Sequence, residues 1–186
     1  MRALEIQQRF GLEALREVQR PDPVPGPGQV LLRMRAASLN YRDLLTVRGH
    51  YNPRQSLPLI PCSDGVGEVL EVGAGVDRVE VGDRVATLFA QEWIAGEPSK
   101  RIQSSTLGGP LDGTLAELMV LDQQGLVHVP AHLDDVAAAT LPCAGVTAWS
   151  ALFTLGALKT GDTVLVQGTG GVSIFALQLA TPPAPG

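Results

Sequence analysis

The chain has almost no cysteine: Cys62 and Cys143 are the two thiols in 186 residues. That excludes a disulfide framework. Histidine is nearly as scarce, and His50, His128 and His132 lack metal-ligand spacing. Aromatic residues make up 4%, and no basic run or stripe interleaves with them, so nucleic-acid binding is not expected. No apolar run approaches the length of a membrane span. The N-terminus, MRALEIQQRFG, carries charges among its apolar residues and lacks the apolar core of a secretory signal. Together these absences point to a reducing, cytoplasmic compartment.

Hydrophobic residues supply 45% of the sequence, with a net charge of −5. That suits a soluble globular protein with one full domain and part of another. The first 130 residues read as mostly β. Arg2–Ile6, 29–37, 65–72 and 115–121 have strand patterns. A proline-rich connector spans 21–28, and Gly73-Ala74-Gly75-Val76 forms a turn. Gly82-Asp83 sets a tight turn between two strands. Tyr41–Val47 predicts a short helix. Residues 90–112 read as a long polar loop. Many short strands at near-regular spacing suggest a barrel-like β domain. From Leu133 the texture becomes helical. Asp134 and Asp135 open a capped helix, and 143–155 is apolar with a helical period.

The most informative stretch is TVLVQGTGGVSIFALQLA, residues 163–180. Residues 163–167 form a β-branched apolar run of the kind found in buried parallel strands. Gly168-Thr169-Gly170-Gly171 turns the chain, and 172–180 suits a helix. Glycines in such a turn let backbone approach a pyrophosphate, which the helix N-terminus also attracts. The bland alternative is a glycine turn with no ligand. The sixth fingerprint position holds Ser173, small enough for close helix–strand packing. An acidic or basic residue that selects the ribose falls about twenty positions on, at or past Gly186. The closing TPPAPG reads neither as helix nor as strand, so the sheet is expected to begin here and stay unfinished.

Several motifs then fall in one order. They are Ala37-Ser38-Leu39-Asn40-Tyr41-Arg42-Asp43, Arg48-Gly49-His50-Tyr51, PCSDGVGE from Pro61, VGDRV from Val81, ATLPCAGVTAW from Ala139, and the glycine turn. In that order they resemble the medium-chain dehydrogenase/reductase superfamily, specifically its zinc-independent quinone reductase and enoyl reductase branch. The resemblance covers about residues 1–180. It implies a GroES-like β-barrel catalytic domain over 1–130, followed by the first strand–helix unit of a truncated NAD(P)-binding Rossmann domain over 131–186. It implies an NADPH-dependent oxidoreductase, with NADH as the alternative cofactor. Hydride passes to a quinone, enone or carbonyl, a small electrophilic molecule. It also allows a homo-oligomer at full length.

By the same resemblance Asn40, Tyr41 and Tyr51 are the catalytic candidates. Thr147, Gly168, Thr169, Gly170, Gly171 and Val172 are the cofactor-binding candidates. Each has a plainer use. Asn40 can cap the following helix, Tyr41 can pack on the barrel, and Thr147 can bond back within its own helix. Asp43 with Arg42 or Arg48 reads as a structural ion pair. In the family's zinc-dependent branch the ligand positions fall at Asn40, Ser63 and Cys143, with Asp64 beside them. Asn40 and Ser63 are poor zinc ligands, so no metal is expected. The remaining route to zinc is an improvised site from Cys62, Asp64 and Cys143. Two alternatives to the reductase reading stay open. One is an inactive truncated fragment or partner-completed GroES-like module, and the other a zinc-type alcohol dehydrogenase.

Overall fold

A computed structural model describes residues 1–181. Its centre is a five-stranded antiparallel sheet with strand order β6-β3-β4-β5-β7. The strands are β3 (Gln29–Ser38), β4 (Asp64–Val72), β5 (Arg84–Thr87), β6 (Leu118–Asp122) and β7 (Leu126–His128). Alternation drives burial. On β3, Val30 and Leu32 point inward and pack with Val69, Val85, Leu107 and Leu126 into the main core. Register shifts between Leu31 and Leu32 and between Met34 and Ala36 bend the long β3–β4 pair.

A separate two-stranded sheet pairs β1 (Arg2–Ile6) with β2 (Leu15–Gln19). It is stitched to the far end of the domain. Leu4 N–H donates to Leu115 O and Glu117 N–H donates to Arg2 O, at 2.9 and 3.0 Å. Ile6, Val47 and Leu59 make a second core under α1 (Tyr41–Val47). Helix α2 (Lys100–Gln103) interrupts the loop expected over 90–112, because Ser99 caps it by accepting from the Ile102 N–H.

Helix α3 (Asp135–Ala139) is capped by Asp134, which accepts from the Ala137 N–H at 2.7 Å. Its Ala138 and Ala139 pack against Val66 of the sheet. Beyond it the chain stays helical through α4 (Val146–Trp149). The flanking segments, Leu141–Gly145 and Ser150–Leu155, are wound as wider π turns. α5 (Gly171–Ala180) closes the described chain.

One element differs from expectation. Residues 163–167 do not form a strand. A strand exists only through a ladder with a neighbour, and among the described residues none lies beside this run. Leu165 is therefore 84% exposed instead of buried. The Gly82 turn also differs, leading into a strand on its C-terminal side alone, at β5. No helix among the described residues is long and apolar enough to cross a membrane.

Leu165, Leu155, Trp149, Val146 and Leu177 all face solvent on the C-terminal segment. Exposed apolar area on that scale drives association. The isolated chain is expected to sediment as a concentration-dependent mixture above the monomer mass. Changing Leu165 and Leu177 together to glutamate should return it to a monomer. Monodisperse wild-type behaviour at every concentration would overturn this.

Candidate active site

The site is built where α1, the start of β4 and the helical segment after Ala139 converge. α1 begins at Asn40, whose backbone is extended at φ −110° and ψ 155°. Its side chain faces the Asp43 N–H in a capping box but closes no full hydrogen bond to it. The reciprocal half of the cap is present, because the Asp43 carboxylate accepts from the Asn40 N–H at 2.7 Å. The Asn40 amide is thus not used up locally. Its Nδ2 is buried and directed at the Asp64 carboxylate, at a geometry looser than a full hydrogen bond.

Asp64 is fully buried. Its Oδ1 accepts from Ser63 Oγ at 2.6 Å, and its Oδ2 accepts from the Cys143 N–H at 2.8 Å. The second bond ties the sheet to the helical segment across 79 positions of sequence. Burial pushes the Asp64 carboxyl above the usual carboxylate range. The bonds from Ser63 and Cys143 oppose that rise without cancelling it. Burial likewise raises Asp43, while the Asn40 N–H opposes it.

Cys62 lies between these carboxylates. It adopts φ +71°, a left-handed conformation that side chains with Cβ seldom accept. Two glycines hold it there. A Cβ on Gly113 would come within 1.9 Å of the Cys62 carbonyl oxygen, and one on Gly108 within 2.7 Å. Burial, then the nearby Asp43 charge, pushes the Cys62 thiol far up. Burial also raises Cys143, with the Asp64 charge adding to it. Both thiols are held in their neutral, unreactive form.

Arg42 does not pair with Asp43, contrary to the sequence reading. Among the described residues Asp43 has no ion-pair partner, Arg48 included. The Arg42 guanidinium donates to Leu107 O at 2.8 Å and to Gly109 O at 2.7 Å. Its planar face is sandwiched, 4.9 Å from the Tyr51 ring centre and 4.7 Å from that of Phe89. A rigid fork that both stacks and donates suits this role better than a carboxylate partner does. Tyr51 is held by this stack. Tyr41 is 74% exposed, so it is not packed on the barrel. Thr147 is exposed on α4.

The glycine turn meets the same region. Gly171 starts α5, and a Cβ there would sit 3.3 Å from the Ala144 Cβ, next to Cys143. Ser173 Oγ donates to Gln167 O at 2.8 Å, closing the turn. Gly168 has φ +83°, and an added Cβ at Gly168 or Gly170 would meet nothing within 4 Å. The turn is therefore an open cradle in front of a helix N-terminus, a geometry that fits a pyrophosphate. Asp64 joins Asn40 to Cys143, and Gly171 of the turn packs on Ala144 beside them. Tyr51 packs against Arg42, two residues on from Asn40. Sequence reasoning missed the Arg42–Phe89 stack, and nothing in the local pattern signals it.

Residues 26–131, more than half of the chain, match the alcohol dehydrogenase GroES-like domain. The chain belongs to that family. It is a member of the medium-chain dehydrogenase/reductase superfamily, with a GroES-like sheet and part of a Rossmann unit. Among its relatives is a zinc-type alcohol dehydrogenase-like protein of Schizosaccharomyces pombe, 47% identical over 83% of this chain and 45% of that protein. An acryloyl-coenzyme A reductase of Metallosphaera sedula is 39% identical over 89% of this chain and 51% of that one. The crystal structure of an alcohol dehydrogenase-type protein from Sinorhizobium meliloti matches with a TM-score of 0.86 and 40% identity, over 97% of this chain and 54% of that one. The chain thus spans about half the length of the relatives it matches.

Within this medium-chain family the metal positions can be tested on the residues present. The Ser63 hydroxyl is donated to Asp64, and Asn40 presents an amide. Among the described residues no three His, Cys, Asp or Glu are grouped as metal ligands, and Cys62, Asp64 and Cys143 do not form such a group. This donor set does not fit a catalytic zinc.

Proposed function

We propose that this medium-chain family member serves an NAD(P)H-dependent oxidoreductase reaction that needs no zinc. Hydride goes to an electrophilic carbon of a quinone, enone or carbonyl compound, a small molecule in each case. One observation carries the reading. The open cradle at Gly168–Gly171 is packed, through Gly171 and Ala144, on the segment that Asp64 anchors by its 2.8 Å bond to the Cys143 N–H. A cofactor held at the turn is thereby indexed to the Asn40 side of the sheet.

Gly168, Thr169, Gly170, Gly171 and Val172 would hold the pyrophosphate, and Thr147 would face the nicotinamide end. When bound, the cofactor supplies the hydride. The chain's own groups do the rest. Asn40 Nδ2, buried beside Asp64, is a donor that can orient a carbonyl oxygen. Tyr41 and Tyr51 carry the hydroxyls that can complete proton delivery to that oxygen. NADPH is the preferred cofactor in this reading, and the boundary between the two domains falls near residue 131. The protein would work in the cytoplasm, and the whole protein could form a homo-oligomer.

Gly170→Ala tests the cradle cleanly. Its backbone, at φ −75°, accepts alanine, and the new methyl meets no protein atom. The melting temperature should stay unchanged while NADPH affinity falls about tenfold or more, because the methyl occupies the space a pyrophosphate needs. Equal NADPH affinity in both proteins would remove the cradle from the argument. A second reading, a module completed by another chain, is favoured by the 84% exposure of Leu165. In that case NADPH binding appears only when the missing partner is added.

A further inference from the structure

β6 ends the five-stranded sheet, so among the described residues one of its edges has no strand beside it. The backbone bonds show which groups that edge presents. Met34 N–H donates to Glu117 O, and Gln123 N–H donates to Gly28 O. In the β3–β6 register, which sets Val30 opposite Leu121, these bonds make the odd-numbered residues the ones that bond β3. The N–H and C=O groups of Leu118 and Val120 therefore point the other way, where no described backbone group bonds them. Strand edges are usually blunted by lysine, proline or a bulge. Leu118-Met119-Val120-Leu121-Asp122 has neither residue, and its register with β3 is unbroken. Two hollows, of about 480 and 430 Å³, open along it and share Leu111, Val120 and Leu121. The same chain carries a segment with the matching need. Thr163-Val164-Leu165-Val166-Gln167 is as long as β6, has strong β propensity, and forms no ladder among the described residues. No residue from 157 to 171 is buried, so the run is open to a neighbour.

We propose that residues 163–167 of one copy add to the free edge of β6 in a second copy, as a sixth strand. Backbone bonds to Leu118 and Val120 hold the added strand, and the hollows take its side chains. Residues 118–121 and 163–167 carry no charge, so no like charges face each other across the pair. The run and the edge are different parts of one surface. The contact is therefore head-to-tail, and copies can add in series. A single added strand buries little area, so assembly is weak and grows with concentration. The pairing uses no cofactor and stands apart from the oxidoreductase reading.

Val120→Pro tests the edge, because it removes an outward N–H and no bond of the β3 ladder. Sedimentation of the full chain should show the concentration for half-assembly rising at least about tenfold in this variant. A fluorescein-labelled peptide copying residues 161–169 should bind the wild-type chain saturably, followed by anisotropy, and bind the variant at least about tenfold more weakly. The same peptide with every amide from 163 to 167 N-methylated keeps the side chains and loses the backbone donors, and it should not bind. This pair of peptides, used on the wild type alone, decides the matter even where the variant fails to fold. Wild-type assembly and peptide affinity in a folded Val120→Pro chain would overturn the proposal. So would equal binding of the two peptides, which would mean apolar adhesion without a ladder, or a wild-type chain that neither assembles nor binds the peptide.

Discussion

Replacing Asp64 by alanine should lower the unfolding free energy by about 2–4 kcal/mol, while replacing it by asparagine should change it by less than about 1 kcal/mol. Alanine leaves the Cys143 N–H without an acceptor in a fully buried place and leaves the volume of the carboxylate empty. Asparagine keeps an oxygen for that N–H. Its amide nitrogen can donate to Ser63 Oγ, which turns from donor to acceptor, and no charge is buried. Urea unfolding of the three proteins measures both differences. Equal loss in the two variants would mean that the charge, rather than the acceptor, is what the fold requires.

The same residue sets a pH dependence of unusual sign. Most carboxylates that matter to stability are held low in the fold and cost stability when acid protonates them. Asp64 and Asp43 are held high by burial. The folded chain therefore takes up their protons at a pH where the unfolded chain does not. Their contribution is complete below the ordinary carboxylate value and is lost as pH rises through their raised folded values. The difference in stability between wild type and Asp64→Asn isolates this, because distant exposed carboxylates such as Glu117 cancel. Wild type should gain on the variant as pH falls from neutral toward 4. A difference that stays flat across that range would show Asp64 to be unshifted.

The second large effect is expected at Gly113. Its N–H donates to Ile60 O at 2.7 Å, and the next N–H, of Thr114, donates to Cys62 O at 3.0 Å. An alanine methyl there would lie 1.9 Å from the Cys62 oxygen and 2.4 Å from the Pro61 oxygen. Both obstacles are backbone, and neither can swing aside as a side chain would. The two hydrogen bonds must break or the Cys62 turn must move, so Gly113→Ala should cost about 3 kcal/mol or more. Gly170→Ala is the matched control, since its methyl meets nothing. Similar melting temperatures for the two variants would show that the 61–64 turn yields easily.

Much of this was legible in the chain itself. Tyr41–Val47 appears as predicted because Asn40 and Asp43 supply a strong local start signal. Arg2–Ile6 appears because alternation and a following glycine bound it. β2 was not legible: Leu15-Arg16-Glu17-Val18-Gln19 buries none of its side chains fully, so its pattern carries little contrast. β7 has three residues, too few for any period. The run 163–167 has strong β propensity yet forms no ladder, because propensity cannot supply a neighbour. At the site, Asn40 could be placed, and the cap and cofactor uses of its side chain look alike in sequence. The Arg42 stack joins positions 42, 51 and 89, and only the fold brings these together. Cys62 in a left-handed turn had no sequence signal, since the glycines that permit it stand at 108 and 113.

Among the described residues all seven strands end by His128, and the first is stitched to Leu115 and Glu117. A ribosome delivers the chain from its N-terminus, and domains fold as units in that order. The sheet can thus close once 128 residues have emerged, with Arg2–Ile6 waiting unpaired on one edge until its partners at 115–117 arrive. Its core of Val30, Leu32, Val69, Val85 and Leu126 is then complete. The run 163–167 reaches solvent after that closure. Synthesis therefore presents it after the sheet, as a sticky segment on an already folded body.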